Sequence, residues 1–279
     1  MNIWYSFCAL LPFEMLQWDF MKNALLAVLL MAPLFGLCST MIVTGRMSFF
    51  SDALGHAAFT GIAIGSICGL AAPTWMAVLF ALAFSGLFSF VRHKSNQAAD
   101  TVIGVFSSTA VALGVFIATL DGGSFTKYNR YLIGDILSIT PTQLGLLLLT
   151  LIGVTVFWVL ASNKLNLSAI HPQLASSRGL PVALLQALFS AAIAVVVTLA
   201  ISWIGLLIIN SLLVLPAASA RSISRNLRQY HGFSVLFAYI AGIGGLIVSY
   251  CFGVSAGAAI CLIMAVIFAV CFCFRKVCK

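Results

Sequence analysis

Apolar residues run along the chain in blocks of about twenty, the length a helix needs to cross the hydrocarbon core of a bilayer. Blocks at 24–45, 50–70, 73–91, 101–120 and 142–162 each read as one span, separated by short clusters of charge, glycine and proline. Two longer runs, 179–220 and 232–274, carry no formal charge and are too long for single spans. The first breaks at Ser202-Trp203-Ile204-Gly205, where tryptophan suits a membrane–water interface. The piece after it is short and is expected to end at Pro216, as a half-helix or a tilted span. The second run breaks at Phe252-Gly253-Val254-Ser255. The pattern predicts an all-α polytopic membrane protein with eight or nine transmembrane helices. Residues 1–21 are aromatic but too interrupted to span. Trp4, Tyr5, Phe7, Phe13 and Trp18 predict a segment lying at the outer interface. No soluble domain or repeat is visible, so residues 1–279 read as one transmembrane domain.

Composition agrees. The chain is 62% hydrophobic and 7% charged, against about 25% charged residues in soluble domains. The basic residues are scattered between apolar blocks rather than gathered on a face, which excludes a nucleic-acid partner. They set orientation instead. With nine spans, one side holds Arg46, Arg92, Lys94, Lys164, Arg178, Arg221, Arg225, Arg228, Arg275, Lys276 and Lys279, and the other only Lys22, Lys127 and Arg130. The basic side is cytoplasmic by the positive-inside rule. The eight cysteines do not form a disulfide framework. Most lie in apolar blocks as small hydrophobes, and the C-terminal Cys271, Cys273 and Cys278 lack paired zinc spacing. No cleavable leader is evident at the N-terminus, where Glu14 and Asp19 replace a basic region. No GxxxxGK[ST] pattern is present for binding ATP.

One apolar block contains chemistry. Asp52 and His56 stand four residues apart, on one face of a helix. An ionisable group in the bilayer costs roughly 2.5–3.5 kcal/mol on insertion scales, so such groups mark ion or substrate paths. Carboxylate and imidazole are both ligands for a divalent metal. The structural alternative is that Ser51 or Asp52 caps the helix and His56 is a satisfied buried histidine. Gly55, Gly61, Gly65 and Gly69 allow close helix packing; Gly55 and Gly61 also leave room around His56 for an ion. Asn210, in an apolar stretch, is expected to make a helix–helix hydrogen bond. Asp121 and Asp135 read as solvated loop acids on the outer side, with docking of a binding protein as the sharper alternative. His93, His171 and His231 fall in cytoplasmic loops.

Three stretches resemble the permease subunit of bacterial zinc/manganese-type ABC importers: 47–65, containing Ser51-Asp52-Ala53-Leu54-Gly55-His56; Tyr131-Leu132-Ile133-Gly134-Asp135-Ile136-Leu137; and 204–221, from Ile204-Gly205-Leu206-Leu207 to Leu215-Pro216-Ala217-Ala218-Ser219-Ala220-Arg221. The resemblance implies a bacterial cell-membrane permease of the metal/vitamin type, working as a homodimer in lipid with a cytoplasmic ATP-binding subunit and an extracytoplasmic metal-binding protein. It implies transport of a divalent ion (zinc or manganese, with ferrous iron also accepted by such ligands) handled by Asp52 and His56. No permanently bound cofactor and no catalytic activity are expected in this chain itself. It also makes 168–179 the coupling helix that docks on the ATPase, through His171, Leu174, Ala175, Arg178 and Gly179, with Leu174 and Ala175 entering its groove. Similar permeases often carry an acid in this loop; here it is absent. Competing readings are an ABC permease for a siderophore or corrinoid, a gradient-driven ion transporter, and, from one Asp and one His, an incomplete metal-hydrolase site.

Overall fold

The computed structural model describes residues 4–5, 8, 14–70, 72–95, 97–120 and 129–278. Its long elements are helices: α1 (Asp19–Thr44), α2 (Phe50–Ile67), α3 (Pro73–Lys94), α4 (Ala99–Leu120), the short α5 (Asn129–Ile133), α6 (Pro141–Ile170), the short α7 (Pro172–Ser177), α8 (Val182–Ile204), α9 (Leu206–Ile223), α10 (Leu227–Phe252) and α11 (Ala256–Cys278). No strand occurs among the described residues. Each of the nine apolar blocks of the sequence is a helix. Seven are long and apolar enough to cross a membrane. The other two are α2 and the shorter apolar stretch Ile208–Ile223 of α9. At 18 residues, α2 is about 27 Å long, and most of its length is buried by protein rather than offered to lipid. It therefore tolerates a polarity that a lipid-facing span could not.

The chain divides into two compact units. One comprises Met1–Thr40, Asp135–Thr155 and Val214–Lys279; the other comprises Met41–Gly134 and Val156–Leu213. The boundaries fall within α1, α6, α9 and the loop before Asp135.

In the first unit α1, α10 and α11 approach closely through small residues. A Cβ on Gly36 would meet the Val235 Cα at 2.8 Å, and one on Gly245 would meet the Ile260 backbone nitrogen at 2.7 Å. Hydroxyls tie the seams: Ser234 donates to the Gly36 carbonyl at 2.7 Å and Tyr239 to that of Leu29 at 3.1 Å. Pro216 does not end its helix as expected; α9 continues through it to Ile223. Proline deprives a helix of one backbone bond and pushes its neighbours aside. The buried hydroxyl of Ser39 sits against this gap, accepting from the Ala217 N–H at 3.1 Å. Such side-chain repair is how apolar surroundings tolerate a helical proline. His231 is not in a loop either: it lies in the second turn of α10, half-buried, with Nδ1 2.8 Å from the Thr40 hydroxyl. Trp4 donates to the Lys22 carbonyl and Tyr5 to the Asn23 side chain, which sets these two residues against the start of α1.

In the second unit α2 packs against α3, α4 and α8. Gly61 admits α3 closely: a Cβ there would lie 2.5 Å from the Ala77 Cα, and one on Gly65 would lie 3.0 Å from that of Pro73. The Phe50 and Phe88 rings stack at 4.4 Å at the other end of the same seam. Helix α8 ends at Ile204 as expected, because Gly205 takes φ 85° and ψ 154°, a backbone region essentially reserved for glycine.

Candidate metal-handling site

Helix α2 begins at Phe50, with Phe49 at the N-cap and no side-chain capping bond. Neither Ser51 nor Asp52 serves as the cap. Ser51 is buried, and its hydroxyl donates to Asn210 Oδ1 at 2.6 Å, tying the first turn of α2 to α9. The hydrogen bond expected of Asn210 is therefore present, and its partner is the residue beside Asp52. Asp52 lies in the first turn, where the positive end of the helix dipole favours a carboxylate. His56 follows one turn on, its Nε2 3.6 Å from Asp52 Oδ2. That is too long for a hydrogen bond, so neither group is locked onto the other.

Throughout 50–63, Asp52 and His56 are the two residues not buried. Their side chains keep 36% and 23% of their surface open, respectively. Over this stretch the apolar residues of α2 face protein, while its one acid and one imidazole stay partly open. This inverts the distribution of a lipid-facing span, in which a lone charge is costly. Together the pair can offer a cation carboxylate oxygen and imidazole nitrogen. Zinc usually takes four ligands, and no group of three or more His, Cys, Asp or Glu gathers among the described residues. The pair by itself would supply only part of a coordination sphere.

The glycines around it act in packing. Gly55 makes room for the Leu206 side chain, which a Cβ would meet at 3.3 Å, and Gly61 makes room for α3. Neither opens space for an ion, contrary to the expectation from sequence. Below His56, the buried Thr60 hydroxyl lies 2.9 Å from the His56 carbonyl oxygen and 2.8 Å from that of Ala110. Gly114 leaves room for this contact, since a Cβ there would lie 2.7 Å from the hydroxyl. Thr60 thus anchors to α4 the turn that carries His56. Sequence reasoning passed over Ser51 and Thr60 as site supports; a buried hydroxyl in an apolar helix next to an ionisable residue is the signal that could have found them.

Asp135 is exposed and accepts from the Leu137 N–H at 3.1 Å, capping the turn Ile136–Ser138. This gives it a local structural role. Asp121 lies outside the described residues. Of the C-terminal cysteines, Cys271 is buried and Cys273 exposed on α11. His93 and His171 are exposed.

The loop expected to be one coupling helix is built in two parts. Ser168 to Ile170 form the end of the long α6; His171 then caps α7. Helix α7 closes with paired bonds, Gly179 N–H to Ser176 and Leu180 N–H to Ala175, and Gly179 takes φ 73°. This is the left-handed glycine termination of a Schellman motif. Leu174 is exposed, but Ala175 is fully buried. Ala175 therefore has no surface to insert into a groove, and Leu174, His171, Arg178 and Gly179 remain accessible.

Two of the sequence stretches meet directly. Gly134, at φ 70°, sits against the Ile204–Gly205 peptide, and Gly205 sits against Ile133 and Gly134. A Cβ on either glycine would fall inside the other segment's backbone.

Residues 17–275 match the family described as the ABC 3 transport family. The manganese import system permease protein ScaB of Streptococcus parasanguinis is 30% identical over 92% of this chain and 91% of its own. The high-affinity zinc uptake system membrane protein ZnuB of Haemophilus influenzae is 28% identical over 86% and 90%. Among solved structures, PsaBC from Streptococcus pneumoniae in complex with Fab superposes with a TM-score of 0.81 at 26% identity, covering 98% of this chain and 95% of that one.

Proposed function

Because the chain belongs to the ABC 3 transport family, we propose that it is the permease of an ATP-driven importer for a divalent transition metal, manganese or zinc. The chain is a multi-pass protein of the cell membrane. The names of its relatives, which specify manganese and zinc uptake, support the choice of cargo. The observation that carries the ion path is the partial exposure of Asp52 and His56 within 50–63, a stretch of α2 that is otherwise buried.

In this reading two copies form the path between them, and Asp52 and His56 hold the ion transiently. The ligands that complete its coordination come from the second copy, other polar groups or water. A conducting site must bind weakly enough to release its ion, and a partial coordination sphere suits that need. ATP is hydrolysed by a separate cytoplasmic subunit, in keeping with the lack of a phosphate-binding loop in this sequence. That subunit pushes on the exposed side of α7 at Leu174 and switches the helices between outward- and inward-open states. An extracytoplasmic binding protein delivers the metal.

The test is rescue of growth on limiting manganese or zinc, in cells lacking their own importers and supplied with this permease, its ATPase and its binding protein. Asp52→Asn keeps size and hydrogen-bonding capacity and removes the charge; His56→Ala removes the second ligand. Both are expected to abolish rescue at wild-type expression. Rescue by Asp52→Asn at the wild-type metal concentration would end the case for Asp52 as a ligand.

A further inference from the structure

Apart from the Asp52–His56 site, the second unit holds a cavity of about 400 Å³ between the C-terminal end of α1, the ends of α3 and α6, and α8. Its polar lining is Thr44, Arg46, Arg92, Ser168 and Gln186; Leu165 and Phe189 contribute apolar wall. No carboxylate lines it, and neither arginine has an ion-pair partner among the described residues. Two arginines, Arg46 exposed and Arg92 half-buried, therefore line one partly open pocket without a carboxylate opposite them. Each offers five N–H donors in a planar fork suited to carboxylate or phosphate oxygens.

Arg46 is placed there by an unfavourable backbone. Helix α1 ends in a Schellman motif, with Arg46 N–H on Val43 and Met47 N–H on Ile42. The left-handed position of that motif is usually glycine. Here it is arginine, at φ 52°. Such a conformation is strained for a residue with a Cβ and points to a use for the side chain. Arg92 ends α3 on the far side of the same cavity and is half-buried.

The surroundings select the ligand. On α3, Leu87 and Phe90 just before Arg92 are exposed, and on α8 so are Leu184 and Leu188 on either side of Gln186. An anion with an apolar tail can place its charge on the arginines and its chain along these side chains. Basic pockets between transmembrane helices at the cytoplasmic side are of the kind that bind anionic headgroups. We propose that this cavity binds the phosphate of an anionic phospholipid through Arg46 and Arg92. In the orientation read from the charge distribution, it opens at the cytoplasmic leaflet beside the proposed coupling loop, whose Ile170 and Pro172 also line it.

The test is native mass spectrometry of the purified permease with its ATPase, titrated with phosphatidylglycerol or with phosphatidylcholine of the same chains. Wild type should retain phosphatidylglycerol selectively. Arg46→Gly, which relieves the backbone strain and so does not threaten folding, and Arg92→Gln should each weaken that retention roughly tenfold, the scale of one charge-assisted hydrogen bond. Equal retention by wild type and both variants would overturn the proposal. So would displacement by inorganic phosphate without any lipid preference, which would make the cavity a free-phosphate site. Unchanged lipid binding with loss of the ATPase from the variants would also overturn it, reassigning the arginines to a carboxylate of that subunit.

Discussion

Replacing Gly205 by alanine should be among the most damaging single-methyl changes available in this chain. Gly205 combines φ 85° with ψ 154°, a region that costs about 1–3 kcal/mol for a residue with a side chain. Its new Cβ would overlap the Ile133 carbonyl group and lie 2.5 Å from the Gly134 nitrogen. Those are backbone atoms, which cannot rotate out of the way, so the segments must separate. Strain and separation together are expected to reach about 4 kcal/mol, the range of the severest point mutations. Gly134→Ala should behave alike, because it occupies the other side of the same contact at φ 70°. Gly86→Ala is the control: it lies within α3 and its Cβ would meet nothing within 4 Å. There alanine should be neutral or stabilising, since helical glycine costs about 0.5–1 kcal/mol relative to alanine. The assay is thermal unfolding of detergent-solubilised protein followed by size-exclusion fluorescence. At about 2–4 °C per kcal/mol for a chain of this class, Gly205→Ala and Gly134→Ala should melt roughly 10 °C lower or fail to fold. Melting within about 2 °C of wild type for both would refute the backbone contact.

Three further outcomes are expected. Ser39→Ala leaves the buried Ala217 N–H beside Pro216 without its acceptor and should cost about 1–3 kcal/mol, read as a lower melting temperature; no change would mean the Ser39 repair is not used. Leu174→Asp should abolish transport or copurification of the ATPase while the permease stays folded, and normal assembly with normal transport would contradict the role of α7. In a cysteine-free background, single cysteines at positions 126 and 174 should be labelled from outside and protected, respectively, in intact cells; the reverse would invert the orientation.

The helices were largely legible because the bilayer dictates their length and hydropathy, whatever their neighbours. The breaks at Gly205 and Gly253 were legible because both glycines take backbone angles that side chains resist. What escaped the sequence depended on distant partners. Pro216 reads as a helix end until Ser39, far away in the chain, is seen at its gap. Ala175 reads as a surface residue until its burial is seen. Gly61 reads as space for an ion until Ala77 is found filling it. Asp52 and His56 stood out because charge is rare in apolar blocks. Their support by Ser51, Asn210 and Thr60 is a matter of contacts across three helices, of which the local pattern shows only the hydroxyls and not their partners.

The most direct measurement is metal influx into proteoliposomes containing the permease and its ATPase, with binding protein and manganese or zinc outside and ATP supplied to the ATPase side. Wild type should accumulate metal only with ATP, and Asp52→Asn should accumulate none while its ATPase subunit remains bound. Influx by wild type without ATP, driven by an ion gradient alone, or ATP-dependent influx by Asp52→Asn at the wild-type rate, would contradict the account.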